Sequence, residues 1–217
     1  MTENHETWLT PFQIEVSQLF FSLSASDGFL LAGGGALLAQ GLTARPTQDL
    51  DFFTRPGAGD VRHARDELVA AAEKCGWDVD SGRDGETYCR LVVHGAEDLI
   101  VDLALDSAPQ EPAAPSVAGP TFAPAELAGR KVIALFDRAA ERDFVDVFRL
   151  SHRFSKESLL DLARQVDAGF DVRVFVEMIH MLNRYPDSEL ELGGVDVNEV
   201  RAFFRQWSAE LSGSSDA

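Results

Sequence analysis

The sequence predicts a mixed α/β (α+β) domain built on a mixed sheet, followed by a C-terminal helical bundle. Three observations carry this expectation. Short apolar segments rich in β-formers recur from Phe29 to Leu105, bounded by Gly, Pro and Asp. The stretch from Ser107 to Pro120 then breaks the pattern with Pro109, Pro112, Pro115 and Pro120. Beyond it, apolar residues recur at helical spacing almost to the end. The expected organisation is a first domain over residues 1–107, a linker over 108–123 and a helical domain over 124–217.

In chain order, Pro11 to Ser26 predicts a helix, with Phe12, Val16, Leu19, Phe20 and Leu23 as its stripe and Asp27-Gly28 as its end. Phe29 to Ala32 reads as a buried strand. Gly33-Gly34-Gly35 follows, then a short helical run from Ala36 to Gln40 closed by Gly41. A polar turn carries Arg45, Pro46 and Thr47, and Asp49 to Phe53 reads as the next strand. Thr54 to Gly59 is a loop. Asp60 is placed to cap a helix to Lys74, with Val61, Ala64, Leu68, Ala71 and Ala72 on one face and Gly76 as its stop. Trp77 to Asp80 is a short strand, Ser81 to Gly85 a turn, Thr87 to His94 a strand, and Asp98 to Leu105 a core strand with Asp102 in its middle.

The helical half reads as Pro124 to Arg138, a helix from about Arg142 to Leu150, then Ser158 to Ala168, Val172 to Tyr185 and Asn198 to Leu211. Val172, Phe175, Val176, Ile179 and Leu182 form one core stripe, and Phe203, Phe204 and Trp207 another. Asp143 and Asp146 lie one turn apart and are expected on the helix surface, where Arg142 and Asp146 have the spacing of an ordinary ion pair. Ser212 to Ala217 reads as a frayed tail.

Composition narrows the function. The chain carries 36 acidic and 19 basic residues, a formal net charge of −17. That field opposes nucleic acid and favours a basic protein partner, or a small phosphorylated substrate held by a few local cations. No apolar run approaches the ~18 residues of a membrane span, and MTENHETW lacks the features of a signal peptide. A cytoplasmic protein with no membrane partner is expected. Cys75 and Cys89 read as reduced core thiols, and the five histidines show no ligand spacing. No Gly-X-Ser-X-Gly elbow occurs.

The chemistry concentrates between Phe29 and Phe53. Residues i and i+2 of a strand share a side, so Asp49 and Asp51 project together while Leu50 and Phe52 turn inward. Paired carboxylates suit Mg²⁺ or Mn²⁺, and glycines at a strand end allow backbone to approach a phosphate. Taken singly, the glycines also read as a packing bend and the acids as a solvated strand end. A P-loop is excluded because no Lys follows the glycines, and a dinucleotide fingerprint because Leu38 stands at its third small position. Asp102, a charge within an apolar strand, needs a partner or a role. Asp98 and Asp106 share its face but sit nearer the strand ends.

Taken together, Gly34-Gly35, the spacer Ala36 to Gln48 and Asp49-Leu50-Asp51-Phe52 resemble the signature of the DNA polymerase β-like nucleotidyltransferases. The run from Gly41 to Phe52, Gly-Leu-Thr-Ala-Arg-Pro-Thr-Gln-Asp-Leu-Asp-Phe, resembles the AbiEii/AbiGii toxin family, which includes the MenT toxins. A second match is Lys131 to Arg138 followed by Glu141-Arg142-Asp143-Phe144-Val145-Asp146.

The resemblance implies a Mg²⁺- or Mn²⁺-dependent enzyme that moves NMP from an NTP to an acceptor, the tRNA 3′ end foremost, as the toxin of a toxin–antitoxin pair. It implies Asp49, Asp51 and Asp102 as metal ligands, with Asp102 also placed to activate the attacking hydroxyl. Gly34 and Gly35 would cradle phosphates, Lys131 and Arg45 would neutralise the leaving pyrophosphate, and Asp143 or Asp146 would orient Lys131 or the acceptor, with Asp143 the first choice. Thr47 matches a Ser/Thr position open to modification; more simply, it hydrogen-bonds the turn. Partners implied are an NTP, tRNA and a cognate antitoxin. The site is expected in the cleft between the two halves. Transfer to a protein or small molecule, and a non-catalytic module with a vestigial site, are the alternatives.

Overall fold

The structure, a computed structural model, describes residues 9–190 and 192–213. The reading of MTENHETW therefore lies outside the described residues, as do the last four residues of the tail. The chain divides into two compact units. One runs to Gly41 and resumes over Pro46–Pro124; the other joins Leu42–Arg45 to the chain from Ala125 onward.

The first unit is built on five strands, β1 (Phe29–Ala32), β2 (Asp49–Thr54), β3 (Asp78–Asp84), β4 (Tyr88–His94) and β5 (Asp98–Leu105). Their order is β1-β2-β5-β4-β3. β2 and β5 run parallel and the other neighbours antiparallel, so the sheet is mixed as expected. Side-by-side pairing puts Leu50 with Val101 and Phe52 with Leu103, and Leu91 and Cys89 continue the same rows on β4. All six are buried and form one apolar face. α1 (Pro11–Phe21) begins with a capping box in which Thr10 and Gln13 satisfy each other's backbone N–H groups. Its Phe20 ring stacks on Phe52 at 4.2 Å. α3 (Val61–Lys74) starts where Asp60 accepts from the His63 N–H, and its buried face is Val61, Ala64, Leu68, Ala71 and Ala72, as the spacing predicts.

Two elements of this unit differ from the sequence reading. α2 (Gly33–Ala39) begins at the first glycine, not at Ala36. Glycine's poor helix propensity is overridden by close packing: a Cβ on Gly35 would lie 3.1 Å from the Leu50 side chain. β3 continues through the stretch read as a turn, with an irregular register between Ser81 and Asp84. Gly82 permits this, since a Cβ there would press on the Arg90 carbonyl at 3.3 Å.

The second unit holds α4 (Pro124–Arg138), α5 (Glu141–Leu150), α6 (Lys156–Val166), α7 (Val172–His180), α8 (Asp187–Leu190) and α9 (Val197–Gly213). Phe144, Phe175, Phe204 and Trp207 are fully buried among them. α7 stops short of Tyr185 and passes into a 3-10 turn, Met181–Arg184. Pro186 disfavours helical backbone at Tyr185, which is extended. Arg201 donates to the carbonyls of Leu182 and Tyr185 at 3.2 and 2.7 Å. No helix of the described residues is long and apolar enough to cross a membrane.

Candidate active site

On β2, Asp49 and Asp51 are half-buried and alternate with the buried Leu50 and Phe52, so both carboxylates stand on the sheet face opposite the apolar core. Register extends that face into a row. Ala32 pairs with Asp51, Asp51 with Asp102, and Asp102 with Arg90. Asp49 is held from its own turn: the Thr47 hydroxyl donates to Asp49 Oδ1 at 2.5 Å. Thr47 is itself fixed, because its carbonyl accepts from Gln13 Nε2 at 2.8 Å.

Asp102 is 6% exposed and accepts three hydrogen bonds. Arg90 grips it with both prongs, Nε to Oδ1 at 2.8 Å and Nη2 to Oδ2 at 2.6 Å. The Tyr88 hydroxyl adds a third bond, to Oδ1 at 2.9 Å. The Asp102 hydrogen bonds, partly offset by burial, hold the Arg90 guanidinium further above its usual range. Burial, then the bond to Asp102, pushes the Tyr88 phenol up.

These observations bear on a divalent cation. Asp49 and Asp51 are hard oxygen donors on one face, and Mg²⁺ is commonly held by one or two carboxylates with water and phosphate oxygens, so this pair fits the ion. The third acid of the expected set, Asp102, is arranged differently. Among the described residues no group of three His, Cys, Asp or Glu is arranged to hold a metal ion. Asp102 faces an arginine fork and a phenol instead.

The glycines divide by task. Gly33 opens α2 with φ +59°, and a Cβ there would overlap the Asp51 carboxylate. Gly34 and Gly35 are buried in the first turn of α2, and Gly35 meets Leu50 and Leu31. The small residue at 35 is thus required by packing. No side chain caps α2, whose N-cap is Ala32.

In the helical unit, Asp143 and Asp146 correct the expectation of a surface position: both are fully buried. Asp146 accepts from Arg45 Nε at 3.1 Å and Nη2 at 3.0 Å, and from the Thr43 hydroxyl at 3.0 Å. Arg45, expected to be available to a pyrophosphate, has this buried pair as its place and is 6% exposed. Lys131 is 7% exposed, with Nζ 3.2 Å from Asp146 Oδ2 and 3.4 Å from Asp143 Oδ1, so both acids orient it. Asp143 also accepts from Arg138 Nε at 2.8 Å and from the Ala140 N–H at 3.3 Å, the latter capping α5. Burial pushes both carboxyls up. The Arg138 and Lys131 contacts at Asp143, and Lys131, Arg45 and Thr43 at Asp146, outweigh it and bring both below the usual carboxylate range.

Arg90, Tyr88, Gly33 and Thr43 are the residues that sequence reasoning missed. A charge within the apolar β5 signalled that Asp102 needs a partner, but only register identifies Arg90. The third glycine, one more than the signature requires, was the signal for Gly33.

Comparisons with known proteins bear on the family and the fold. The profile of the family described as "Nucleotidyl transferase AbiEii toxin, Type IV TA system" matches residues 19–213. No curated protein matches the chain. Among solved structures, JHP933 from Helicobacter pylori is similar with a TM-score of 0.56 at 16% identity, over 96% of this chain and 97% of that one. MenT4, a nucleotidyltransferase toxin from Mycobacterium tuberculosis H37Rv, is similar with a TM-score of 0.55 at 17% identity, over 91% of this chain and 85% of that one. These likenesses concern the fold. The profile match covers most of the sequence, and the chain belongs to the AbiEii family of nucleotidyltransferase toxins.

Proposed function

We propose that the sheet face bearing Asp49 and Asp51 transfers NMP from an NTP to a hydroxyl of an acceptor, the tRNA 3′ end being the acceptor of choice. The observation that carries this is the same-face placement of the two carboxylates, beside the glycine turn, in a chain of a nucleotidyltransferase family. The acceptor oxygen forms a bond to the α-phosphorus, the bridging P–O bond to the β-phosphate breaks, pyrophosphate leaves, and the hydroxyl proton passes to solvent. When bound, Mg²⁺ or Mn²⁺ supplies positive charge against the charge developing on the α-phosphate, and Asp49 and Asp51 would hold it.

Thr47 keeps Asp49 Oδ1 oriented, and Gly33 leaves Asp51 its room. Gly34 and Gly35 are assigned to the phosphate side of the same turn. In the helical unit, Asp143 and Asp146 hold Lys131 as a buried cation. We also assign the chain a cognate antitoxin and a cytoplasmic location, as befits a toxin that acts on translation.

A second reading has its own support. The net charge of −17 disfavours a polyanionic acceptor, so transfer to a protein or small molecule is the alternative. The test is incubation with Mg²⁺, each α-labelled NTP in turn, total RNA and cell lysate. Label in a tRNA-sized band is expected. Label confined to protein or small molecules would keep the chemistry and overturn the tRNA acceptor.

A further inference from the structure

We propose that Asp102 is the seat of Arg90 rather than a metal ligand, and that Arg90, held in this way, binds nucleotide phosphate at the Asp49/Asp51 face. The inference rests on the nucleotide-transfer reading of that face.

Register makes the arrangement. Asp51, Asp102 and Arg90 are consecutive partners across β2, β5 and β4, and paired residues of neighbouring strands project to the same side. Arg90 therefore belongs to the same row as the acid pair. Its bond to Asp102 is bidentate, and Tyr88, two residues earlier on β4, closes on the same carboxylate. A metal ion on Asp102 would compete with these bonds and weaken the counter-charge of the guanidinium.

The pair is also asymmetric in exposure. The Asp102 side chain is 8% exposed and that of Arg90 47%. The acid is the buried end and the guanidinium the open end. Nε and Nη2 are committed to Asp102, while Nη1 lies outside the fork with its donors. A guanidinium braced along one edge presents its other edge with little loss of freedom, which suits a phosphate oxygen. A face with two carboxylates needs a fixed cation if a polyphosphate is to approach it, and Arg90 is the cation that register places there.

The test separates the metal from the nucleotide. Mn²⁺ alone is titrated by electron paramagnetic resonance into the full-length protein and into the Asp51→Asn, Asp102→Asn and Arg90→Lys variants. A non-hydrolysable α,β-methylene NTP is then titrated calorimetrically in the presence of Mn²⁺. Asp51→Asn is expected to weaken Mn²⁺ by about tenfold or more, and Asp102→Asn by no more than about threefold. Asp102→Asn and Arg90→Lys are each expected to weaken the analogue by about tenfold, the scale of one charge-assisted bond. A wild-type circular dichroism spectrum and cooperative thermal unfolding are the folding control for Asp102→Asn. Arg90→Lys, which keeps the charge but loses the fork, tests the phosphate contact independently through the analogue. Loss of Mn²⁺ binding in folded Asp102→Asn to the level of Asp51→Asn, or an Arg90→Lys protein that binds the analogue like wild type, would overturn this inference and leave the nucleotide-transfer reading standing. A wild-type protein binding neither Mn²⁺ nor the analogue would overturn both.

Discussion

Gly33 and Asp51 share one space: a side chain at position 33 would overlap the Asp51 carboxylate, and the backbone of Gly33 lies at φ +59°. This ties the two halves of the motif together. The glycine turn after β1 exists in part because β2 delivers a carboxylate beside it. β1 and β2 pair antiparallel, with Ala32 opposite Asp51, so the residue after Ala32 meets that side chain directly.

Gly33→Ala should therefore do more than strain the backbone. A left-handed alanine costs about 1–2 kcal/mol, and the displaced Asp51 should lower transfer activity by about tenfold or more. Gly57→Ala is the control, since Gly57 has φ +80° but nothing within 4 Å of an added Cβ. It should lose only the backbone cost of a left-handed alanine and keep its activity. Equal activity in the two variants would remove the special role of Gly33.

The buried network of the helical unit predicts a stability effect. Asp146→Ala leaves Arg45 and Lys131, both buried, without their shared counter-charge. Loss of one partner from a buried pair typically costs about 3–5 kcal/mol. Asp161→Ala breaks only the exposed pair with Arg164 and should lose less than about 1 kcal/mol. Urea unfolding of the two variants checks the contrast; similar midpoints would show that the network contributes little.

Acid should act through the same residues. Burial raises the carboxyls of Asp143 and Asp146, but Arg138 and Lys131 for the first, and Lys131, Arg45 and Thr43 for the second, bring them down overall. A folded value below the unfolded one gives stability that is complete above the ordinary aspartate range, about 4, and is lost as pH falls through the depressed values. The urea midpoint should be insensitive to these groups from about pH 7 to 5 and decline below about 4. Asp146→Asn should show a shallower acid decline, and an identical slope would assign the acid sensitivity elsewhere.

What was legible in the sequence follows the range of the interactions. The alternation Asp49-Leu50-Asp51-Phe52 is local, and β2 places the acids and the core residues as the period of two requires. α3 was equally readable from its cap and stripe. Asp143 and Asp146 were misplaced because two acids one turn apart look solvated when their partners are unknown, and Arg45 and Thr43 lie about a hundred positions earlier in the chain. The partner of Asp102 was hidden for the same reason, since it depends on the pairing of β4 with β5. The helical glycines were hidden by propensity, which packing against Leu50 and Leu31 overrides.

Nucleotidyl transfer at the face carrying Asp49 and Asp51 fixes where each phosphate of the NTP must go. The most direct measurement uses one NTP labelled at either the α- or the γ-phosphate, with Mg²⁺ and total cellular acceptors, comparing wild type with Asp49→Asn/Asp51→Asn. Nucleotidyl transfer predicts α-label in the acceptor, γ-label released as pyrophosphate, and neither in the variant. The γ-label appearing in the acceptor, or α-label incorporated equally by the variant, would contradict it.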